Sequence, residues 1–114
     1  MRLLLIAALA CFSLPAFSQS HTPPRDGETI YNDKCTYCHA DRGWGTRELA
    51  KRTEPGQAKL LDRTGLSRDF IAAVVRRGIG SMPAFTPTDL SDAETEVLAE
   101  WLEARGKRKQ SAGP

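Results

Sequence analysis

The residues best suited to chemistry in this sequence are two cysteines and a histidine within one pentapeptide, Cys35-Thr36-Tyr37-Cys38-His39. Two thiols separated by two residues and followed at once by an imidazole form the attachment signature of c-type haem. Residues i and i+3 lie on the same face of a helical turn, so both sulfurs can reach one macrocycle. The pentapeptide predicts Cys35 and Cys38 as covalent haem-attachment residues and His39 as an axial iron ligand.

Three other chemistries of such a motif fit the sequence less well. A structural zinc site needs four protein ligands, and the sequence has no second CxxC or HxxxH pair to complete one. A thioredoxin-like dithiol belongs to a βαβ pattern, and no strand-rich segment precedes Cys35. A disulfide between Cys35 and Cys38 would close a loop too short to stabilise the chain much.

A second axial ligand is predicted at Met82, which lies in a loop with glycines at positions 78 and 80. The two glycines are expected to let the backbone approach a flat ligand closely, and Pro83 to stiffen the position after the sulfur. Phe85 is expected to pack on the porphyrin. The alternatives are that Met82 fills the core, the usual place of methionine, and that His21 binds the iron instead.

Histidine and methionine together stabilise ferrous iron and raise its potential. Two protein ligands also leave the iron no open position, which disfavours oxygen or peroxide chemistry. These ligands predict a protein that carries single electrons by Fe(III)/Fe(II) cycling and is not an enzyme. The alternative is a haem peroxidase or gas sensor in which Met82 dissociates.

The first residues predict a secretory signal peptide. A short basic start precedes an apolar run, and small residues before a cleavage point near Ser18 complete the pattern. The run is shorter than the ~20 residues that span a bilayer, so no membrane span is expected after cleavage. Cys11 would be discarded with the signal, and the predicted location is periplasmic.

The predicted segments are a signal peptide at 1–18, a flexible leader at 19–26, a haem domain at 27–104 and a basic disordered tail at 105–114.

The sequence predicts an all-α fold of about five helices, which position the cysteine motif and Met82. Apolar residues at helical spacing predict buried faces, and they are Ile30, Tyr31, Phe70, Ile71, Val74, Val75, Val97, Leu98, Trp101 and Leu102. Capping signals and glycines give the ends. The predicted helices are one from Asp26 or Gly27 into the cysteine motif, one from Arg47 to Lys51 capped by Thr46, one from Gln57 to Arg63, one from Ser67 to Gly78 and one from Ser91 to Gly106.

Charge is nearly balanced but unevenly distributed, with a formal net charge of +2. Residues 42–52 carry four basic side chains and one acidic one, whereas residues 78–104 carry six acidic side chains and no basic one. The sequence lacks the continuous basic stripe of a nucleic-acid-binding protein. The pattern favours oriented docking on a protein partner, and the predicted docking face combines Arg76 and Arg77 with the basic stretch around Arg47.

Between Gly27 and Ala104 the chain resembles the class I monohaem cytochromes c. The resemblance is carried by Gly27 and Tyr31 in the first helix, the cysteine motif, Met82-Pro83 and Trp101 in the last helix. It implies the fold of that family, with the first and last helices crossing at Gly27, Tyr31 and Trp101 around one covalently attached haem. It also implies that the Trp44 carbonyl accepts a hydrogen bond from His39, in place of a proline that the family often has there. Haem propionates are expected to bind Trp44, Arg47 or Arg52.

Two further stretches and the Met-Pro loop look similar to cytochrome subunits of periplasmic flavoprotein oxidoreductases of the p-cresol methylhydroxylase type. The stretches are Gly45 to Arg52 and Leu60 to Thr64. This resemblance implies a flavoprotein or other periplasmic dehydrogenase as electron donor, and an oxidase or another cytochrome as acceptor. A freely diffusing carrier remains the alternative.

Overall fold

The computed structural model describes residues 23–113, which contain five α-helices and one 3₁₀ turn. The helices are α1 (Gly27–Lys34), α2 (Thr36–His39), α3 (Trp44–Ala50), α4 (Arg68–Arg77) and α5 (Asp92–Ala112), with the 3₁₀ turn at Leu60–Asp62. Within these residues β pairing is limited to an isolated bridge between Ile79 and Met82. The predicted all-α fold is confirmed. The predicted signal peptide, Cys11 and His21 lie outside the described residues.

Side-chain caps set the starts of three helices where the sequence predicted them. An Asp26 carboxylate oxygen accepts a hydrogen bond from the Thr29 amide at 2.9 Å, ahead of α1. Ser67 caps α4 in the same way. Ser91 and Glu94 each accept the other's backbone N–H at 3.2 Å, forming the predicted capping box of α5. These bonds satisfy amides that have no partner within a helix.

The crossing of α1 and α5 holds the cysteine motif in place. A Cβ added at Gly27 would lie 2.3 Å from Cβ of Trp101, so only glycine permits this approach. One turn later, the Tyr31 and Trp101 ring centroids are 5.7 Å apart. The Tyr31 hydroxyl donates to the His39 carbonyl oxygen at 3.2 Å. The predicted crossing is confirmed, and it links the helix interface directly to the motif.

The core is formed by apolar side chains of α1, α4 and α5 together with Leu90. Its buried members are Ile30, Tyr31, Ile71, Val75, Leu90, Leu98, Ala99 and Leu102. Most of them belong to the predicted apolar faces. Phe70 departs from its prediction, since 49% of it remains exposed. In residues 23–113 no helix is both long enough and apolar enough to cross a membrane.

The predicted end of the last helix at Gly106, followed by a disordered tail, is wrong. Helix α5 continues to Ala112. Gly106 is buried within the helix, and a Cβ there would lie 2.9 Å from the Arg63 carbonyl oxygen. The glycine therefore permits close packing and does not end the helix. Arg105 and Lys109 contact the 3₁₀ turn, which accounts for the order of this segment.

Two short helices also differ from their predictions. Thr46 does not cap α3, which begins at Trp44 with Gly43 as its cap. Thr46 is buried, and its hydroxyl donates to the Ala40 carbonyl oxygen at 2.8 Å. The helix predicted from Gln57 to Arg63 is reduced to the three-residue 3₁₀ turn. Short helices have little intrinsic stability, so contacts with the rest of the chain decide their bounds.

Replacing Gly27 with alanine tests the helix crossing. The new methyl group must displace α1 or Trp101, and overpacking of this kind costs roughly 1–3 kcal/mol of unfolding free energy. Chemical denaturation monitored by circular dichroism measures the loss. Glu28→Ala, at the exposed neighbouring position, should change stability by less than about 1 kcal/mol. Equal stability of Gly27→Ala and the wild type would contradict the described packing.

The buried phenol of Tyr31 makes stability depend on alkaline pH. Burial is the main cause that raises the pKa of Tyr31 from 10.0 to about 12. The unfolded chain therefore releases this proton at lower pH than the folded chain, and stability falls as pH rises from about 10 towards 12. The loss is at most on the order of 3 kcal/mol, since each pKa unit corresponds to roughly 1.4 kcal/mol.

Denaturation at pH 8, 10 and 12 measures this effect as the difference between the wild type and Tyr31→Phe. We expect the phenylalanine variant to be less stable at pH 8, because it loses the hydroxyl bond to His39. Its disadvantage should shrink by pH 12. A difference that stays constant across this range would contradict burial of the phenol.

Candidate functional site

The cysteine motif lies at the junction of α1 and α2. The Cys35 amide donates to the Tyr31 carbonyl oxygen at 2.9 Å, which closes the last turn of α1. The His39 amide then donates to the Cys35 carbonyl oxygen at 2.9 Å, so the motif itself forms one helical turn. Tyr37, between the two cysteines, is 94% exposed. Cys35, Cys38 and His39 all line one cavity.

Both thiols are free in the described part of the chain, so they form no disulfide with each other. Burial, followed by the nearby charges of Asp33 and Cys38, raises the pKa of Cys35 to about 11. Between residues 23 and 113, no group of three or more histidine, cysteine and acidic side chains could hold a metal ion. The zinc alternative has no support in this region.

The His39 ring is held against the start of α3. Its Nδ1 atom is buried and makes no hydrogen bond within residues 23–113. Burial lowers the pKa of His39 below its ordinary value, which favours the neutral imidazole that binds metals. The predicted hydrogen bond to the Trp44 carbonyl is therefore wrong. Trp44 is the first residue of α3, and carbonyl groups in a helix point along its axis towards later amides.

Gly43 and Gly45, on either side of Trp44, contact the cysteine motif, and this contact was not predicted from the sequence. A Cβ at Gly43 would lie 2.2 Å from the Cys38 carbonyl oxygen. One at Gly45 would lie 3.0 Å from Cε1 and 3.2 Å from Nδ1 of His39. The alternation of glycines around a tryptophan was the available signal, but it does not reveal which backbone lies opposite.

Met82 lines the same cavity as the cysteine motif. A tight turn fixes its backbone, since Ile79 and Met82 exchange backbone hydrogen bonds of 3.1 and 2.9 Å. Gly78 adopts a left-handed backbone with φ +71°, and a Cβ there would lie 2.5 Å from the Met82 carbonyl oxygen. Gly78 therefore serves the turn itself. Neither Gly78 nor Gly80 lines the cavity, so the predicted role of the two glycines in approaching a flat ligand has no support there.

The cavity measures about 310 Å³ and has mainly apolar walls. This volume is within the range of cofactor pockets, roughly 300–1,000 Å³. Its apolar walls include Leu49, Leu60, Leu66, Phe70, Ile71, Val74, Val75, Ile79, Pro83, Leu98 and Leu102. Phe70 and Ile79 are 49% and 57% exposed, and both line this cavity. A flat, largely apolar group attached through two thiols fits these walls and donors.

Charged side chains at the cavity come from α3 and from the segment before α4. Glu48, Arg52 and Arg63 line it, and an Arg52 nitrogen lies 3.7 Å from a Glu48 carboxylate oxygen. Of the residues predicted to bind propionates, Trp44 and Arg52 line the cavity whereas Arg47 does not. Arg63 also lines the cavity, although it was not among the residues predicted to bind propionates and no sequence pattern distinguished it.

Two predicted neighbours of the site lie elsewhere. Phe85 does not line the cavity; it packs against the core, and its amide donates to the Val75 carbonyl oxygen at 2.9 Å. Arg76 does not contribute a free charge to a docking face. Its guanidinium pairs with Asp92 at 2.7 Å and donates to the Phe85 carbonyl oxygen at 3.2 Å.

Comparison with known proteins gives a family and one curated relative. Residues 22–102 match the family model described as cytochrome c oxidase, cbb3-type, subunit III. The chain is 29% identical over 76 residues to the cytochrome c subunit of 4-cresol dehydrogenase (hydroxylating) from Pseudomonas putida. That alignment covers 67% of this chain and 57% of the relative, so the chain spans little more than half of the relative's length. No solved structure gives a significant match.

Alanine at Gly45 tests whether α3 positions the histidine ring. The added methyl group presses on the His39 ring and the Cys38 carbonyl. If His39 binds haem iron as the motif predicts, we expect the visible haem absorption bands of the purified protein to shift. Gly43→Ala has less room and should also lose stability, by roughly 1–3 kcal/mol. Gly56→Ala is the control, because its Cβ would meet nothing within 4 Å although φ is +82°. It should cost stability without changing the spectrum, and a spectrum unchanged in Gly45→Ala would contradict this contact.

Proposed function

This chain belongs to the cytochrome c domain family of the matched model and carries covalently bound haem c, and we propose that Cys35, Cys38, His39 and Met82 bind that haem. The observation that carries the proposal is the shared cavity, which all four residues line. Each cysteine would form one thioether bond to the macrocycle. His39 and Met82 would be the axial iron ligands.

Separate contacts hold each of the two proposed axial ligands in place. His39 is held between the Tyr31 contact to its carbonyl oxygen and the backbone at Gly45. Met82 is fixed by its turn with Ile79. A rigid ligand set keeps coordination geometry similar in the two oxidation states, which lowers the reorganisation needed for electron transfer. Bound haem supplies a reversible one-electron couple, and a thioether ligand raises its potential.

The charged residues at the cavity have a proposed role in holding the acidic groups of haem. Arg52 and Arg63 line the cavity, and arginine pairs with carboxylates through two parallel hydrogen bonds. Apolar side chains from α4 and α5 would cover the macrocycle and exclude water. Low local polarity disfavours the more highly charged ferric state, which also raises the potential.

The protein transfers electrons and does not catalyse a substrate reaction. We propose that it takes single electrons from a dehydrogenase, of the flavoprotein class that the sequence resemblance implied, and passes them to an oxidase or another cytochrome. The matched relative is the cytochrome c subunit of a dehydrogenase, which supports a dehydrogenase as the partner of this chain. A periplasmic location, with cleavage of the signal peptide near Ser18, belongs to the same proposal and rests on the sequence pattern alone.

The proposed docking face is the exposed side of α3, next to the cavity. Arg47 is exposed and makes no ion pair within residues 23–113, while Lys51 and Arg52 share Glu48. On the α4–α5 surface, by contrast, Arg68 pairs with Glu96 and Arg76 with Asp92. Arg77, another predicted member of the face, is exposed at the end of α4 and makes no ion pair within residues 23–113. Beside α3, the three basic side chains outnumber Glu48, and this excess of positive charge favours an acidic partner.

Oxidation of the ferrous protein by ferricyanide, followed by stopped-flow absorbance, tests carrier function and docking charge together. We expect a single-exponential, one-electron reaction whose rate falls as salt is added, because the α3 surface attracts the anionic reagent. Arg47→Gln should slow the reaction severalfold at low ionic strength. The control Arg68→Gln makes the same change in net charge at a paired position and should have a smaller effect.

Two outcomes would contradict these proposals. A protein that does not exchange electrons with ferricyanide reversibly is not a carrier. A carrier whose rate is independent of salt, or is affected equally by the Arg47 and Arg68 substitutions, does not use α3 as its charged docking face.

A further inference from the structure

The segment between α3 and α4 supplies one wall of the cavity with little secondary structure of its own. Leu60, Arg63 and Leu66 line the cavity, but the regular structure here is only the 3₁₀ turn at Leu60–Asp62. Within the segment, the Gln57 side chain accepts the Thr64 amide hydrogen bond at 2.8 Å. A wall of this kind needs support from neighbouring elements to keep its place.

The end of α5 supplies that support through three residues, Arg105, Gly106 and Lys109, which we call the C-terminal clamp. Arg105 Nε donates to the Leu61 carbonyl oxygen at 2.9 Å. Lys109 pairs with the Asp62 carboxylate. Gly106 packs so closely that an added Cβ would lie 2.9 Å from the Arg63 carbonyl oxygen. Three consecutive residues of the wall are thus each held by a different clamp residue.

The C-terminal clamp is anchored to the helix crossing. The Arg105 guanidinium lies over the Trp101 ring, 5.7 Å from its centroid. Trp101 in turn packs against Gly27 and Tyr31. The clamp lies beyond residue 102, where the family match ends, so the shared family pattern does not account for it.

We propose that the C-terminal clamp sets the reduction potential of the haem by holding the 60–66 wall against the cavity. This inference rests on the proposed function, because it requires haem in the cavity. Solvent access and nearby charge are two of the factors that tune haem potentials. Loosening the wall admits water and lets the Arg63 charge move away, and both changes favour ferric iron. A weakened clamp therefore lowers the potential.

Gly106→Ala is the main test, measured on the holoprotein by spectroelectrochemical titration. The added methyl group must push the wall away from α5, so we expect the ferrous/ferric equilibrium to shift at least threefold towards ferric. That shift is about 28 mV, at 59 mV per tenfold change for one electron. Hydrogen exchange of amides 60–64 should quicken in parallel. The control is Gln110→Ala, an exposed position on the same helix, which should leave the potential unchanged.

A pair of charge substitutions separates the clamp from a direct electrostatic effect. Lys109→Gln removes a positive charge and Asp62→Asn removes a negative one, so simple charge effects on the iron have opposite signs. Both substitutions break the same ion pair, and the clamp predicts that both lower the potential. The shifts should be smaller than that of Gly106→Ala, because exposed ion pairs are weak. Arg108→Gln is the matched control for the loss of one positive charge.

The outcomes separate the clamp from the function on which it rests. A lower potential in Gly106→Ala, with shifts of the same sign in the ion-pair variants, supports the clamp. An unchanged potential in folded Gly106→Ala, or opposite signs for Lys109→Gln and Asp62→Asn, overturns it. If Gly106→Ala does not fold, the signs of the two charge variants decide. A wild-type protein that carries no redox-active haem overturns the proposed function itself, before any variant is compared.

Discussion

The close approach of α1 to α5 at Gly27 is the constraint on which the rest of the structure depends. Because the Gly27 backbone lies against Trp101, with no room for a Cβ, Tyr31 can reach both the Trp101 ring and the His39 carbonyl oxygen. Helix α1 ends immediately before Cys35. The crossing therefore fixes the direction in which the chain enters the cysteine motif and orients the cavity relative to the core.

Close backbone packing at glycine recurs around the cavity. Gly43 and Gly45 bring α3 against the motif, Gly78 closes the turn that presents Met82, and Gly106 brings α5 against the wall before α4. A larger side chain at any of these positions would meet backbone or the His39 ring at 3.0 Å or less. Contacts between backbones thus bring side chains from separate elements to the cavity that the cysteine motif lines.

The sequence was informative where the determinants were local. Capping residues such as Asp26, Ser67 and Ser91 act within their own first turn, so the starts of the three longest helices were predictable. The motif spacing and the Gly27–Trp101 pair were recognisable as well. Non-local contacts were not. Gly106 was interpreted as a helix end because its partner, the Arg63 carbonyl, is distant in sequence, and the ion pair of Arg76 with Asp92 could not be anticipated from a charge count.

The central claim is that the Met82 sulfur and His39 bind one iron in this cavity, which makes the protein an electron carrier. The most direct measurement is the weak red absorption band of the ferric protein that arises from charge transfer between a methionine sulfur and iron. We expect the band in the wild type and its loss in Met82→Ala, with haem still attached to the two cysteines. A wild-type protein without the band, or a band that survives the substitution, would contradict the claim and direct attention to peroxide or gas chemistry at an open iron position.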